Sequence, residues 1–171
     1  MALIKTLKGK KPIIGDNCFL AETATIIGEV TIGNNCSIWY SAVLRGDVHY
    51  IKIGDNTNIQ DNATVHATYK KSPTNIGNNV TIAHGAIIHG CTIKDNVMVG
   101  MNAVVLDDAV VESNSIIAAG SVVTKETVVK SGSVYAGVPA KMIKKISTEL
   151  LEGEINRIAK AYEMYARWYK E

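Results

Sequence analysis

The feature that most constrains this chain is a period of six. Aliphatic residues recur every six positions at Ile14, Leu20, Ile26, Ile32, Ile38 and Leu44, then at Ile53, Ile59 and Val65, and at Ile76, Ile82 and Ile88. A third run follows at Ile93, Val99, Val105, Val111, Ile117 and Val123, with Val128 and Val134 as a weaker tail. Four residues after these positions the side chain is usually small or β-branched, as in Cys18, Ala24, Val30, Cys36, Ala42, Ala63, Ala86, Ala103, Ala109 and Ser121. Gly, Asp and Asn gather between, as in Ile-Gly-Asp-Asn at 53–56 and Ile-Gly-Asn-Asn at 32–35 and 76–79. Such a period marks an architecture whose units bury their apolar side against one another. Here the unit is a very short strand followed by a turn, with Gly and Asn at the turn positions that need positive φ. The 21 Ile and 17 Val against 7 Leu support strands and argue against a helical bundle. A β-sandwich would show irregular spacing of about 8–12 residues with alternating exposure, which the period excludes.

This pattern resembles the hexapeptide-repeat family, and the resemblance implies a mainly β fold, a left-handed parallel β-helix with three hexads per coil. The hexads counted here make about six to seven coils. The phase breaks at 49–52 and 71–75 predict loops bulging from corners. After Pro139 the repeat stops, and from 147 to 169 Leu150, Leu151, Ile155, Ile158, Tyr162, Tyr165 and Tyr169 recur at three- and four-residue steps. That spacing predicts an amphipathic helix with Ser147 or Thr148 as N-cap. The expected organisation is a β-helix over 1–140, then a connector and a helix over 141–171 packed on it.

Eighteen Lys and Arg against sixteen Asp and Glu leave a formal charge of +2, which argues against nucleic-acid and membrane partners. No stretch has the apolar run of a signal peptide or a membrane span, so a soluble cytoplasmic protein is expected. Three cysteines, none in a C-x-x-C pair, do not make a disulfide framework. Cys18 and Cys36 lie three hexads apart at one inward position and predict a reduced stacked pair.

Repeat arithmetic places the histidines. His66 follows Val65 and His89 follows Ile88, so each is second in its hexad, one full coil apart. They should stack on one corner of adjacent coils, about 4.8 Å apart. Zinc at about 2.0–2.1 Å from each nitrogen needs ligand nitrogens about 3.4 Å apart, which such a stack allows. His84 is third in its hexad, one face away, and would reach the same metal only from a neighbouring subunit. Arg45 belongs to the His66 and His89 column one coil earlier, and Gln60 lies one face over.

Arg-Gly-Asp at 45–47, Asn-Ile-Gln-Asp-Asn at 58–62, His66, and His84 with His89 five residues later together resemble the γ-class carbonic anhydrases. The resemblance implies a homotrimer with metal ions held between subunits, His66 and His89 from one and His84 from its neighbour. It implies an intersubunit ion pair of Arg45 and Asp47, a hydrogen bond from Gln60 to the water on the metal, and an interface role for Asp61, with Asn58 in the same motif. Tyr165 resembles the helix tyrosine that reaches the site, with Tyr162 as the alternative. The implied reaction is reversible hydration of carbon dioxide to bicarbonate at a metal, with zinc expected and Fe(II) or cobalt as alternatives, since imidazole suits all three.

The chain departs from the best-known γ-class enzyme in carrying Val48 after the Arg-Gly-Asp segment, and a loop over 68–75 without a carboxylate. The acidic proton shuttle is thus missing, which implies weak turnover. Two other readings stay open. One is a hexapeptide acyltransferase of acetyl-CoA type, with His49 as the free base and Gly137-Val138-Pro139-Ala140-Lys141 as a shared segment. The other is a non-catalytic metal-binding or scaffold trimer.

Overall fold

The computed structural model describes residues 1–169, a solenoid of about seven coils whose short strands stack into three faces, followed by a helix. The first face runs through Leu3–Lys5, the beginnings of two long strands, Thr25–Ile32 and Val43–Ile53, and then Thr64–His66, Ile87–His89, Val104–Val105 and Val122–Val123. The second takes Ile13–Ile14, the ends of the two long strands, Thr74–Ile76, Thr92–Ile93, Val110–Val111 and Val128–Val129. The third takes Phe19–Leu20, Ser37–Ile38, Asn58–Ile59, Thr81–Ile82, Val97–Val99, Ser115–Ile117 and Ser133–Gly137. Coil-to-coil pairing is parallel, as in Leu44 with Val65 and Val65 with Ile88. This is the architecture of a left-handed β-helix of hexapeptide repeats.

The hexad aliphatics form the core. Ile26, Leu44, Val65, Ile88, Val105 and Val123 are fully buried in one stack, and small residues such as Ala42, Ala63 and Ala86 fit beside them. Asn17, Asn35, Asn56, Asn79, Asn96 and Asn114 turn one corner at positive φ. Gly33 precedes that corner because a Cβ there would stand 2.8 Å from the Gly54 carbonyl carbon of the next coil. Asp55 and Asp95 join the coils, accepting from the backbone N–H of Asn34 at 2.7 Å and of Asn78 at 2.7 Å. Cys36 is buried and Cys18 partly so, in adjacent coils and not joined by a disulfide. The Cys18 hydrogen bond, then burial, push the Cys36 thiol far up.

Three sequence expectations are corrected. The repeat does not weaken after Val123 but keeps its step of six. Val129 and Tyr135 point inward, while Val128 is 57% exposed and Val134 packs outside the coil against the helix. The extra residues at 49–52 do not form a loop. Gly28 pairs with Gly46 and Val30 with Ile51, so 47–50 are absorbed as a bulge in one bent strand whose ladder continues on both sides. The second insertion turns at 68–72, closed by a Thr68–Ser72 bridge, rather than at 71–75. Thr74 is already in the ladder, its hydroxyl donating to the His66 carbonyl and accepting from Gly90 N–H at 2.9 Å.

Where the sequence suggests only a connector, Ala140–Lys145 forms a strand that pairs antiparallel with Ser133–Gly137 and ends the third face. The helix follows over 148–168, capped by Ser147, whose hydroxyl accepts from Leu150 N–H at 3.3 Å. Its second turn, Leu151–Asn156, is π-helical. The helix lies along the third face, Ile155 against Ile116 and Val134 near the last coil, and Ala166 against Phe19, Ala21 and Trp39 near the first. Among the described residues no helix is long and apolar enough to cross a membrane.

Candidate functional site

The parallel register sets His66 beside His89. Their rings sit 5.1 Å apart between centroids, and His66 Nδ1 faces His89 Nε2 at 3.1 Å. Each ring is held from the other side by a carboxylate. Asp47 Oδ1 lies 3.0 Å from His66 Nε2, and Asp107 Oδ1 lies 2.6 Å from His89 Nδ1. Ring N–H groups facing the carboxylates leave the lone pairs of His66 Nδ1 and His89 Nε2 converging on each other. Two such lone pairs repel unless a proton or a cation lies between them.

Burial lowers the His66 pKa, and the Arg45 and His89 charges add to this, outweighing the pull of Asp47. Burial disfavours ionisation of Asp47 too, yet hydrogen bonds from Arg45, at 2.6 Å, and His66 keep its carboxyl below the usual range. Arg45 and Asp47 therefore pair within one subunit here. Asp107 is 5% exposed. Burial again opposes its charge, but Thr68 Oγ1 at 2.7 Å, His89, and Lys125 Nζ at 3.7 Å hold its carboxyl low. Ser72 and Lys71 bind Asp108 at 2.8 Å and 3.7 Å, so the 68–72 turn is pinned by carboxylates from another coil.

His84 stands on a different face at the same height along the stack. Asp61 Oδ2 lies 2.8 Å from its Nδ1, which leaves Nε2 to accept from the Tyr162 hydroxyl at 3.2 Å. Burial, then Asp61 and Tyr165, push the Tyr162 hydroxyl up to about 12, so it stays protonated. Tyr165 does not make that contact but lines, with Gln60, His84 and Tyr162, one cavity of about 210 Å³. Gln60 and Asn58 are buried and linked, Gln60 Nε2 donating to Asn58 Oδ1 at 3.0 Å and Asn58 Nδ2 to Thr81 Oγ1 at 2.9 Å. His49 lies apart, its Nδ1 accepting the Tyr50 N–H at 2.9 Å.

The residues proposed from sequence thus form two clusters on separate faces: His66, His89, Arg45 and Asp47 on one, and His84, Asp61, Gln60, Asn58, Tyr162 and Tyr165 on the other. Among the described residues of one subunit, no group of three or more His, Cys, Asp or Glu could hold a metal ion. Sequence reasoning missed Asp107. Its one signal was the Asp-Asp pair at 107–108, where the same corner a coil earlier carries Gly90. The donor set fits a divalent cation, because imidazole ligands commonly donate their second ring N–H to a carboxylate, as His66, His84 and His89 are placed to do here.

Comparison with known proteins follows the same lines. Residues 11–46 and 90–125 match the family described as bacterial transferase hexapeptide (six repeats), and residues 50–90 the hexapeptide repeat of succinyl-transferase. The carbonic anhydrase of Geobacillus kaustophilus is 38% identical over 98% of this chain and 91% of its own. Gamma carbonic anhydrase 2, mitochondrial, of Arabidopsis thaliana is 47% identical over 82% of this chain and 52% of its own, so the chain spans about half the length of that relative. The crystal structure of a hexapeptide transferase family protein from Anaplasma phagocytophilum superposes with a TM-score of 0.93 at 43% identity, covering 98% of each chain. By fold, by repeat and by these relatives, the chain belongs to the γ-class carbonic anhydrase family of hexapeptide-repeat proteins.

Proposed function

We propose that this protein catalyses the reversible hydration of carbon dioxide to bicarbonate at a metal site shared between subunits. The observation that carries this reading is that His66, His84 and His89 each turn one ring nitrogen to a carboxylate, which leaves the nitrogen on the far side of the ring to face a cation. His66 and His89 would hold the metal from one subunit and His84 from its neighbour. Both clusters sit at the same height on the stack, so rotation about an axis parallel to it brings one subunit's His84 level with another's histidine pair. A homotrimer is the closed arrangement we infer.

A divalent metal bound there, zinc in our reading, supplies the Lewis acidity that makes water nucleophilic near neutral pH. The chain's own residues orient the reactants. Asp47, Asp61 and Asp107 hold the ring tautomers, and Gln60, kept in place by Asn58, offers its amide group to the small substrate. Tyr162 must leave His84 Nε2 when that nitrogen takes up a metal, and Tyr165 lines the cavity the hydroxyl would enter. No carboxylate of the 68–72 turn is available as a proton shuttle, since the turn has none and binds Asp107 and Asp108 instead.

Metal content per subunit of anaerobically purified wild type and His84→Ala, with hydration assayed on the same samples, tests this. One metal per subunit with hydration, both lost in His84→Ala, is the expected result. Metal without hydration would favour a scaffold, and no metal would return the acyltransferase reading.

A further inference from the structure

The chain is poor in aromatic residues, with one Phe, two Trp and seven Tyr. Yet Trp39, Tyr40, Tyr162, Tyr165, Trp168 and Tyr169 all line one cavity of about 270 Å³ between the helix and the third face. Phe19 stacks behind, 5.0 Å from Trp39 between ring centroids. Among the described residues the only other one lining it is Asp61, so their part of the wall carries a carboxylate and no Lys, Arg or His. The cavity shares Tyr162 and Tyr165 with the space that contains Gln60 and His84. A ligand there would lie beside the proposed reaction site.

The lining selects among ligand classes. Tyrosine and tryptophan rings present negative π faces, which attract cations and repel anions. Asp61 strengthens that preference, and bicarbonate meets no cationic partner among the described residues of this wall. Small-molecule sites of drug-like ligands occupy about 300–1,000 Å³, so a volume just below that range suits a small organic molecule and far exceeds the needs of carbon dioxide. Core packing alone does not explain the cluster, since Trp168 and Tyr169 are 61% and 52% exposed. Aromatic walls with one carboxylate are the chemistry that recognises a quaternary ammonium group.

We infer that the cavity between the C-terminal helix and the third face binds a small quaternary ammonium compound, held over the aromatic rings with its charge toward Asp61. The inference concerns binding and does not depend on the hydration reading. It is tested on the native oligomer, metal-free and metal-loaded, by titrating choline and its neutral isostere 3,3-dimethylbutan-1-ol, followed by calorimetry and tryptophan fluorescence. Choline should bind saturably, and the isostere about tenfold or more weakly. Trp168→Ala, at an exposed position, should weaken choline by about fivefold to tenfold and leave the circular dichroism unchanged. Asp61→Asn should weaken choline and spare the isostere. Equal binding of the two compounds would overturn the inference, as would no saturable binding of choline by either form of the protein. Wild-type affinity in Trp168→Ala would overturn it as well.

Discussion

A neutral imidazole offers one lone pair, and a carboxylate on the opposite nitrogen decides which. Asp107 does this for His89 from a buried position in the next coil, and is itself held by Thr68 and Lys125. Asp107→Asn keeps a neutral acceptor and should lower metal affinity about tenfold, and Asp107→Ala, which keeps none, nearer a hundredfold. Chelator competition reads the affinity, and circular dichroism confirms the fold. Asp47 yields a pH prediction. Its pKa in the folded protein lies below the ordinary 3.8. A carboxyl depressed on folding stabilises the protein above its unfolded pKa, and that contribution is lost as pH falls through the lower folded value. The stability advantage of wild type over Asp47→Asn should therefore be full near neutrality and shrink once pH drops below about 4. Thermal melts of both proteins across that range check it. Arg45, His66 and His89 were legible as one column because every hexad repeats its geometry. Asp107 was not, because only the fold shows which corner carboxylate turns toward a ring.

Among the elements, the C-terminal helix does the most to complete the candidate site, carrying Tyr162 to His84 and Tyr165 to the neighbouring cavity. It is anchored mainly through Ile155, which is 1% exposed among Ile116, Val134 and Met98. Ile155→Ala should cost about 2–4 kcal/mol in urea denaturation, with Trp39 emission shifting to the red as the helix loosens. The 3.6-residue pattern revealed the helix and narrowed its cap to Ser147 or Thr148, but not which tyrosine meets His84, because the π-helical turn at Leu151–Asn156 rotates everything after it. The aromatic cavity was invisible for a related reason, since Trp39 and Tyr165 are brought together only by docking. Following apolar residues alone misplaces the tail of the repeat. Val128 and Val129 are equally apolar, and only the step of six from Val123 tells them apart.

On the scale of the whole molecule, one subunit holds two incomplete clusters, so a metal joining them would also join subunits. Removing it should weaken the assembly. Sedimentation of dilute protein should show a trimer when metal is bound and smaller species after chelation, whereas a trimer indifferent to chelation would mean the subunits associate without it. The stacked coils were readable from periodicity, because a solenoid repeats one short-range contact throughout, whereas the three faces and the position of the histidine pair followed from the three hexads per coil that the family resemblance implies. How far the helix travels was readable from neither.

That path has a consequence in time. A chain made from its amino terminus lays down the coil of Phe19 before the helix, yet Ala166 comes to rest against Phe19, Ala21 and Trp39. The helix cannot span its two anchor points until every coil between them exists. It is a clasp that shuts only on a finished stack, so a nascent or truncated chain is left with Trp39 and Ile116 bare along one side. Chaperones and proteases that survey exposed apolar surface would read the unfastened clasp as the sign of an unfinished molecule.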